Sequence, residues 1–207
     1  MTRRSFRQAA LAGVVLVIGL GFSLIQPERS AAIDPAKAYF AGGCFWCMEE
    51  VFEKVEGVMM AVSGYMDGTV VNPTYEQVSA GGTGHAESVE VTYDPAKVSY
   101  EKLVEVFWRN VDPLTPNAQF CDRGNQYRSA IFPSTPEEQK LAEASRMRLE
   151  ESKRFHGPIV TQIVSAPAFY PAEAYHQDFY QKNPVRYKLY KFNCGRTQRL
   201  EEVWGKP

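Results

Sequence analysis

Gly42-Gly43-Cys44-Phe45-Trp46-Cys47 stands where an apolar, strand-like run, Ala38 to Ala41, gives way to a helix-like one, Met48 to Val55. The stretch predicts a strand-to-helix turn with Cys44 at its tip. Glycine enters backbone conformations that a Cβ penalises, and the unpaired N–H groups at a helix start carry roughly half a positive charge. Such a position favours the thiolate, so Cys44 reads as a reactive cysteine that ionises more easily than a free thiol. The competing reading is a small buried hydrophobe, the usual fate of a free cysteine. The paired glycines, the flanking Phe45 and Trp46 and the second thiol at Cys47 weigh against it.

Downstream, Phe45, Met48, Phe52 and Val55 recur at helical spacing, which puts Glu49, Glu50, Glu53 and Lys54 toward water. Val58 to Tyr65 reads as a buried strand, followed by a polar, glycine-rich loop from Met66 to Gly84 that holds Asn72-Pro73-Thr74-Tyr75. An irregular loop of that length is usually functional or disordered. From Glu87 the chain alternates, so Glu87 shares a strand face with Val89, Val91 and Tyr93. Ser99 caps a helix with Tyr100, Leu103, Val104 and Phe107 on its apolar stripe. A second loop, Leu114 to Gln126, leads into a short strand, Arg128 to Phe132, and Thr135-Pro136-Glu137-Glu138 opens a capped helix to about Phe155. A strand from Ile159 to Ser165, an aromatic helix from Ala172 to Lys182 and an irregular basic tail complete the reading. This order predicts an α/β (α+β) domain with helices on one or both faces of a mixed sheet, its strand order left open.

Upstream, Arg3, Arg4 and Arg7 precede an apolar run from Ala9 to about Ile25, and Ser30-Ala31-Ala32 offers a cleavage site. Residues 1–32 therefore read as a signal peptide or an N-terminal membrane anchor, and the chain as exported, periplasmic or otherwise extracytoplasmic. Thr2-Arg3-Arg4-Ser5-Phe6 has the twin-arginine look of a signal for folded cargo. Of 207 residues, about 175 remain for one domain. Four of the 23 basic and one of the 24 acidic side chains lie in the leader, leaving 19 against 23. That mild acidity, without a basic block, argues against a nucleic-acid partner. Four cysteines lack the density of a disulfide scaffold.

A carboxyl on the apolar face of a strand is desolvated, which raises its pKa and makes Glu87 a proton donor near neutral pH. Tyr75 and Tyr127 lie in the two long loops, where a phenol can donate a hydrogen bond while its ring closes a pocket. Asp122, between Cys121 and Arg123, reads as a site residue or a turn former, and His85, His156 and His176 read as structural. Three chemistries fit the cysteines. Cys44-x-x-Cys47 after a strand suggests a thioredoxin-like dithiol oxidoreductase. All four thiols suggest a zinc site, though such sites use two close pairs and here there is one. The third is an aromatic-lined thiolate enzyme, which alone uses Glu87 and the glycine-rich loops.

Gly43-Cys44-Phe45-Trp46, Asn72-Pro73-Thr74-Tyr75, Gly84-His85-Ala86-Glu87 and Asp122-x-Gly124-x-Gln126-Tyr127-Arg128-Ser129 closely resemble, in order and spacing, the motifs of the A-type peptide methionine sulfoxide reductases. The resemblance covers about Tyr39 to Pro184. It implies a single-domain two-layer sandwich around a mixed sheet over residues 36–190, with a C-terminal tail over 191–207. The implied substrate is methionine S-sulfoxide, free or in oxidised proteins. Cys44 would attack the sulfoxide sulfur while Glu87, Tyr75 and Tyr127 serve its oxygen, with Phe45, Trp46 and Asp122 binding the substrate. The resulting sulfenic acid would condense with a second thiol. The resemblance further implies a monomer with no metal or organic cofactor, re-reduced by a thioredoxin-like protein.

Three departures from the family pattern concern regeneration. Cys47 and Asp67 stand where glycines are common, and Lys188 stands where a recycling cysteine is expected. The resolving thiol is thus open among Cys194 in a flexible tail, Cys47 three residues from Cys44, and Cys121 beside Asp122, with a relay between disulfides also open.

Overall fold

Strand β1 (Ala36–Gly42) turns directly into helix α1 (Phe45–Glu53), followed by β2 (Val58–Met66), a short α2 (Tyr75–Ser79), β3 (Ala86–Tyr93) and α3 (Tyr100–Arg109). These come from a computed structural model that describes residues 34–206; the leader lies outside the described residues. The chain continues through a small hairpin, β4 (Ala118–Gln119) and β5 (Asp122–Arg123), a 3₁₀ turn at Asn125–Tyr127, β6 (Ser129–Phe132), α4 (Pro136–Glu151), β7 (Gln162–Ile163) and β8 (Tyr170–Pro171). Helices α5 (Phe179–Lys182), α6 (Pro184–Asn193) and α7 (Arg196–Trp204) close the described chain.

Six strands form one sheet in the order β7-β6-β1-β3-β2-β8. All neighbours are antiparallel except β6 and β7, which makes the sheet mixed, as expected. Ala38 and Phe40 of β1 and Val89 and Val91 of β3 share the face covered by α1 and α3. Phe40 is the centre of that layer, stacked on Phe52 at 4.8 Å and Phe107 at 5.4 Å. Each fully buried ring of this kind contributes about 1.5–3 kcal/mol by leaving water. The opposite face carries a smaller cluster of Ala41, Met66, Ala86, Ala130 and Phe132 under Ala166 and Phe169.

The structure corrects three readings. Residues 172–178 are not helical, because their backbone is tied to β2: Ala172 N–H donates to Ser63 O at 2.9 Å, and the Gln177 amide bridges Ser63 and Ala172. The tail is not irregular. It folds into α6 and α7, which are tied to the loop after α3: Arg196 donates to Asn110 O at 2.6 Å and Arg199 pairs with Asp112 at 2.9 Å, while the Trp204 indole donates to Val111 O. Finally, Glu49 does not face water but is fully buried, accepting from the Ser63 hydroxyl and from the Asp178 amide. Helix α1 is covered by the sheet on one side and by α5 on the other, so it has less solvent face than its spacing suggested.

Candidate active site

The turn at Cys44 is built by two glycines. A Cβ at Gly42 would lie 2.6 Å from Met48 Sδ, so glycine there leaves room for the Met48 side chain where α1 folds back over the end of β1. Gly43 has φ +79°, and a Cβ there would meet Gln119 Cβ at 2.5 Å. Cys44 caps α1: its carbonyl accepts from the Cys47 amide at 3.1 Å. The next amide, Phe45 N–H, donates instead to Glu87 Oε2 at 3.1 Å.

Glu87 is the second residue of β3, 3 % exposed, in the inward phase its alternation predicted. Burial pushes its carboxyl up to about 8, against the Phe45 amide, with the nearby Asp122 and Cys47 charges adding to the rise. Glu87 is therefore largely protonated at neutral pH.

Cys44, Glu87, Phe45 and Trp46 line a cavity of about 80 Å³, closed by Tyr75, Tyr127, Asp122 and Tyr190. Two larger hollows of about 440 and 290 Å³ flank Trp204 and contain neither a thiol nor a buried carboxyl. Tyr75 opens α2 behind a capping box of Thr74 and Gln77, and its amide donates to Glu173 Oε1 at 2.8 Å. Tyr127 follows Gly124, whose φ of +133° turns the loop inward. Arg128 ties the two long loops together through Asp67 at 2.8 Å and Asn125 O at 3.0 Å. Asp67 itself has φ +62°, a conformation that suits the glycine its position resembles. Burial pushes both phenols up, Tyr75 to about 12, so each stands as a hydrogen-bond donor.

Trp46 is oriented by three contacts. Its indole donates to His176 Nδ1 at 3.1 Å, its face stacks on Phe179 at 3.8 Å, and Tyr190 meets it edge-on. His176 thus supports the wall, whereas the His85 ring is bonded to Val70 O outside the cavity lining and forms no pair with Cys44.

The four cysteines divide into two pairs. Cys121 and Cys194 form a disulfide, while Cys44 and Cys47 are free and buried. No four-thiolate metal set exists among the described residues. Of the resolving candidates, Cys121 and Cys194 are joined to each other, and Cys47 is the thiol hydrogen-bonded to Cys44. The expectation of an easily ionised Cys44 is corrected: burial, then Cys47 and Glu87, push its thiol up. Cys47 is instead drawn down to about 6 by the hydrogen bond from Cys44, against burial, with help from Arg196, Tyr187 and Lys191.

Tyr187 and Tyr190 were missed by sequence reasoning. Both lie on α6, where Tyr187 donates to Glu50 and Tyr190 donates to Asp122. Their spacing on a helix was the one available clue, obscured by reading the tail as irregular.

The peptide methionine sulfoxide reductase family matches residues 36–207. The chain is 52 % identical over 170 residues to a peptide methionine sulfoxide reductase MsrA of Halalkalibacterium halodurans, covering 82 % of this chain and 97 % of that protein. It is 50 % identical over 168 residues to the MsrA of Bacillus subtilis, covering 81 % and 95 %. Among solved structures, methionine sulfoxide reductase A of Corynebacterium diphtheriae superposes with a TM-score of 0.65 at 33 % identity, covering 73 % of this chain and 76 % of that one. Reduced Mxr1 of Saccharomyces cerevisiae gives 0.66 at 32 % identity, over 72 % and 86 %.

Proposed function

The chain belongs to the peptide methionine sulfoxide reductase family and is an oxidoreductase that reduces methionine sulfoxide, and we propose that Cys44 carries the reaction with the S epimer as its substrate. The observation that best supports this reading is that a free thiol and a carboxyl kept protonated by burial line one aromatic cavity.

In the proposed reaction the Cys44 thiolate attacks the sulfoxide sulfur, and Glu87 gives its proton to the oxygen. Tyr75 and Tyr127 donate hydrogen bonds to that oxygen as its charge grows. The sulfur–oxygen bond and the new bond between the two sulfurs break as the oxygen passes to Cys44 as a sulfenic acid, and methionine leaves. The sulfoxide gains two electrons and Cys44 loses two. Phe45 and Trp46 hold the S-methyl group by contacts that favour sulfur against an aromatic ring. Cys47, whose thiol the hydrogen bond from Cys44 draws down, then attacks the Cys44 sulfur; a disulfide forms and the hydroxyl leaves as water. A thioredoxin-like dithiol restores both thiols by exchange. A dithiol oxidoreductase would use Cys44 and Cys47 but leaves Glu87, Tyr75 and Tyr127 without a task.

Export is part of the same proposal. Its support is the leader-like run of residues 1–32 together with the Cys121–Cys194 disulfide, a bond that persists in oxidising compartments. Finding the unprocessed chain free in a cytosolic fraction would refute it.

The test of function is an assay of both epimers with dithiothreitol as reductant. The expected result is turnover of the S epimer alone, lost in Cys44→Ser. Equal rates on the two epimers, or none on either, would overturn the reading.

A further inference from the structure

Tyr190 is the cavity-lining residue that belongs to none of the sequence motifs, and its hydroxyl stands between two site groups. It donates to Asp122 Oδ2 and lies within hydrogen-bonding reach of the Cys44 sulfur. Its position is well fixed. The ring meets Trp46 edge-on at 5.9 Å, and one turn further along α6 the Cys194 sulfur sits 3.9 Å from the same Asp122 oxygen. Cys194 is bonded to Cys121, the neighbour of Asp122, so the disulfide joins the helix that carries Tyr190 to the hairpin that carries Asp122.

Resting on the reading of Cys44 as the nucleophile, we propose that Tyr190 is a catalytic residue whose hydroxyl bridges Cys44 and Asp122 and passes the thiol proton of the one to the carboxylate of the other. The Cys44 S–H bond breaks as its proton joins the Tyr190 oxygen, and the proton already on Tyr190 moves to Asp122. The products are a thiolate and a neutral acid, with one negative charge moved and none created. Cys44 needs such a partner because burial, Cys47 and Glu87 all oppose its ionisation. Asp122 is suited to accept because burial pushes its carboxyl up, against the Tyr190 hydrogen bond and the Arg196 charge, and Tyr190 passes the proton without standing as a phenolate because burial pushes its phenol up as well. The Cys47 sulfur is the other base in reach, but protonating it would disarm the thiol proposed to resolve the sulfenic acid. When that condensation occurs, the proton held by Asp122 returns through Tyr190 and leaves with the hydroxyl as water.

The titratable groups around Cys44 are Cys47 of α1, Glu87 of β3, Tyr75 of α2, Tyr127 of the 3₁₀ turn, Asp122 of β5 and Tyr190 of α6. Arg196, Tyr187 and Lys191 stand behind Cys47. Substituting Cys47→Ser with the Cys121–Cys194 disulfide intact leaves Cys44 as the lone free thiol, and its alkylation by iodoacetamide can be followed from about pH 5 to about pH 9 without any sulfoxide.

An internal proton transfer does not depend on bulk pH while Asp122 would otherwise be ionised, so this chain is expected to show a plateau of alkylation rate on the acid side of its profile. Adding Tyr190→Phe, which keeps the ring, is expected to lower that plateau about 10- to 100-fold, the worth of a hydrogen bond to a charged group. Adding Asp122→Asn is expected to abolish the plateau, leaving a rate that falls about tenfold per pH unit. A profile without a plateau, a plateau unchanged by Tyr190→Phe, or a faster reaction in Asp122→Asn, as loss of a repelling charge alone would give, overturns the proposal. If Tyr190→Phe loosens the fold, shown by a lost near-UV circular dichroism spectrum, Asp122→Asn decides by the same criterion. Because no sulfoxide is present, the outcome is separate from that of the epimer assay.

Discussion

The amide of Phe45 donates to Glu87 Oε2 across 3.1 Å, joining the first turn of α1 to the second residue of β3, 42 positions away. This single bond sets the buried carboxyl beside the thiol that precedes the helix. The helix start therefore serves two groups: its amide steadies Glu87, while Cys44 opens into the cavity.

Replacing Glu87 by Gln keeps the shape and removes the proton. Reduction of methionine S-sulfoxide is expected to slow by about 10²–10⁴-fold, the range for a positioned general acid. Cys44 alkylation in the same variant should change far less. A variant as active as the parent would show that another group supplies the proton.

The pH dependence follows from the raised Glu87 carboxyl, which burial moves to about 8 in the folded chain. Activity that needs the protonated acid is expected to fall as pH rises through that value, and Glu87→Gln should lack this limb. Stability has the same sign. Between about 4.3, the ordinary value for Glu, and the folded value, the unfolded chain is ionised at Glu87 while the folded chain is not, so folding takes up a proton and stability declines with rising pH. Urea midpoints measured across that window should decline less steeply in Glu87→Gln.

The resolving thiol is tested by counting. Treated with one equivalent of sulfoxide, Cys194→Ser is expected to lose two free thiols, as Cys44 and Cys47 join. Cys47→Ser should lose one and retain a sulfenic acid that dimedone traps. The reverse pattern would assign the step to Cys194.

Gly43→Ala places a side chain at φ +79° and 2.5 Å from Gln119 Cβ, so strain and overlap act together. A loss of about 1–3 kcal/mol is expected in equilibrium urea unfolding. Cys44 should also move, with reduction of sulfoxide falling more than stability alone explains. A variant of parental stability would mean that the turn relaxes freely.

Much of the site could be read from the linear chain because its cues are local. Paired glycines between a strand and a helix mark a turn whatever surrounds it, and Gly42 and Gly43 do make the turn at Cys44. A strand period of two assigns faces without knowledge of the neighbours, and Glu87 points inward with Val89 and Val91 as its alternation requires. Motif spacing likewise marked Tyr75, Tyr127 and Asp122, and all three reach the cavity.

Other features depend on what packs against a residue from far along the chain, and only the tertiary structure decided them. Glu49 reads as solvent-facing by helical spacing, yet Ser63 and Asp178 enclose it, and burial moves its carboxyl up to about 7. The Cys44 thiol sits at a helix start, a position that favours ionisation, yet desolvation by the surrounding layers pushes it the other way. Which cysteines pair is decided by the docking of α6 and α7, which brings Cys194 to Cys121 across 73 residues and leaves Cys47 to Cys44. That docking also brings Tyr190 to Asp122. Periodicity and turn chemistry act over a few residues and are written in order along the chain. Desolvation, disulfide partners and hydrogen bonds between distant segments follow from which surfaces meet, and that depends on the whole fold at once.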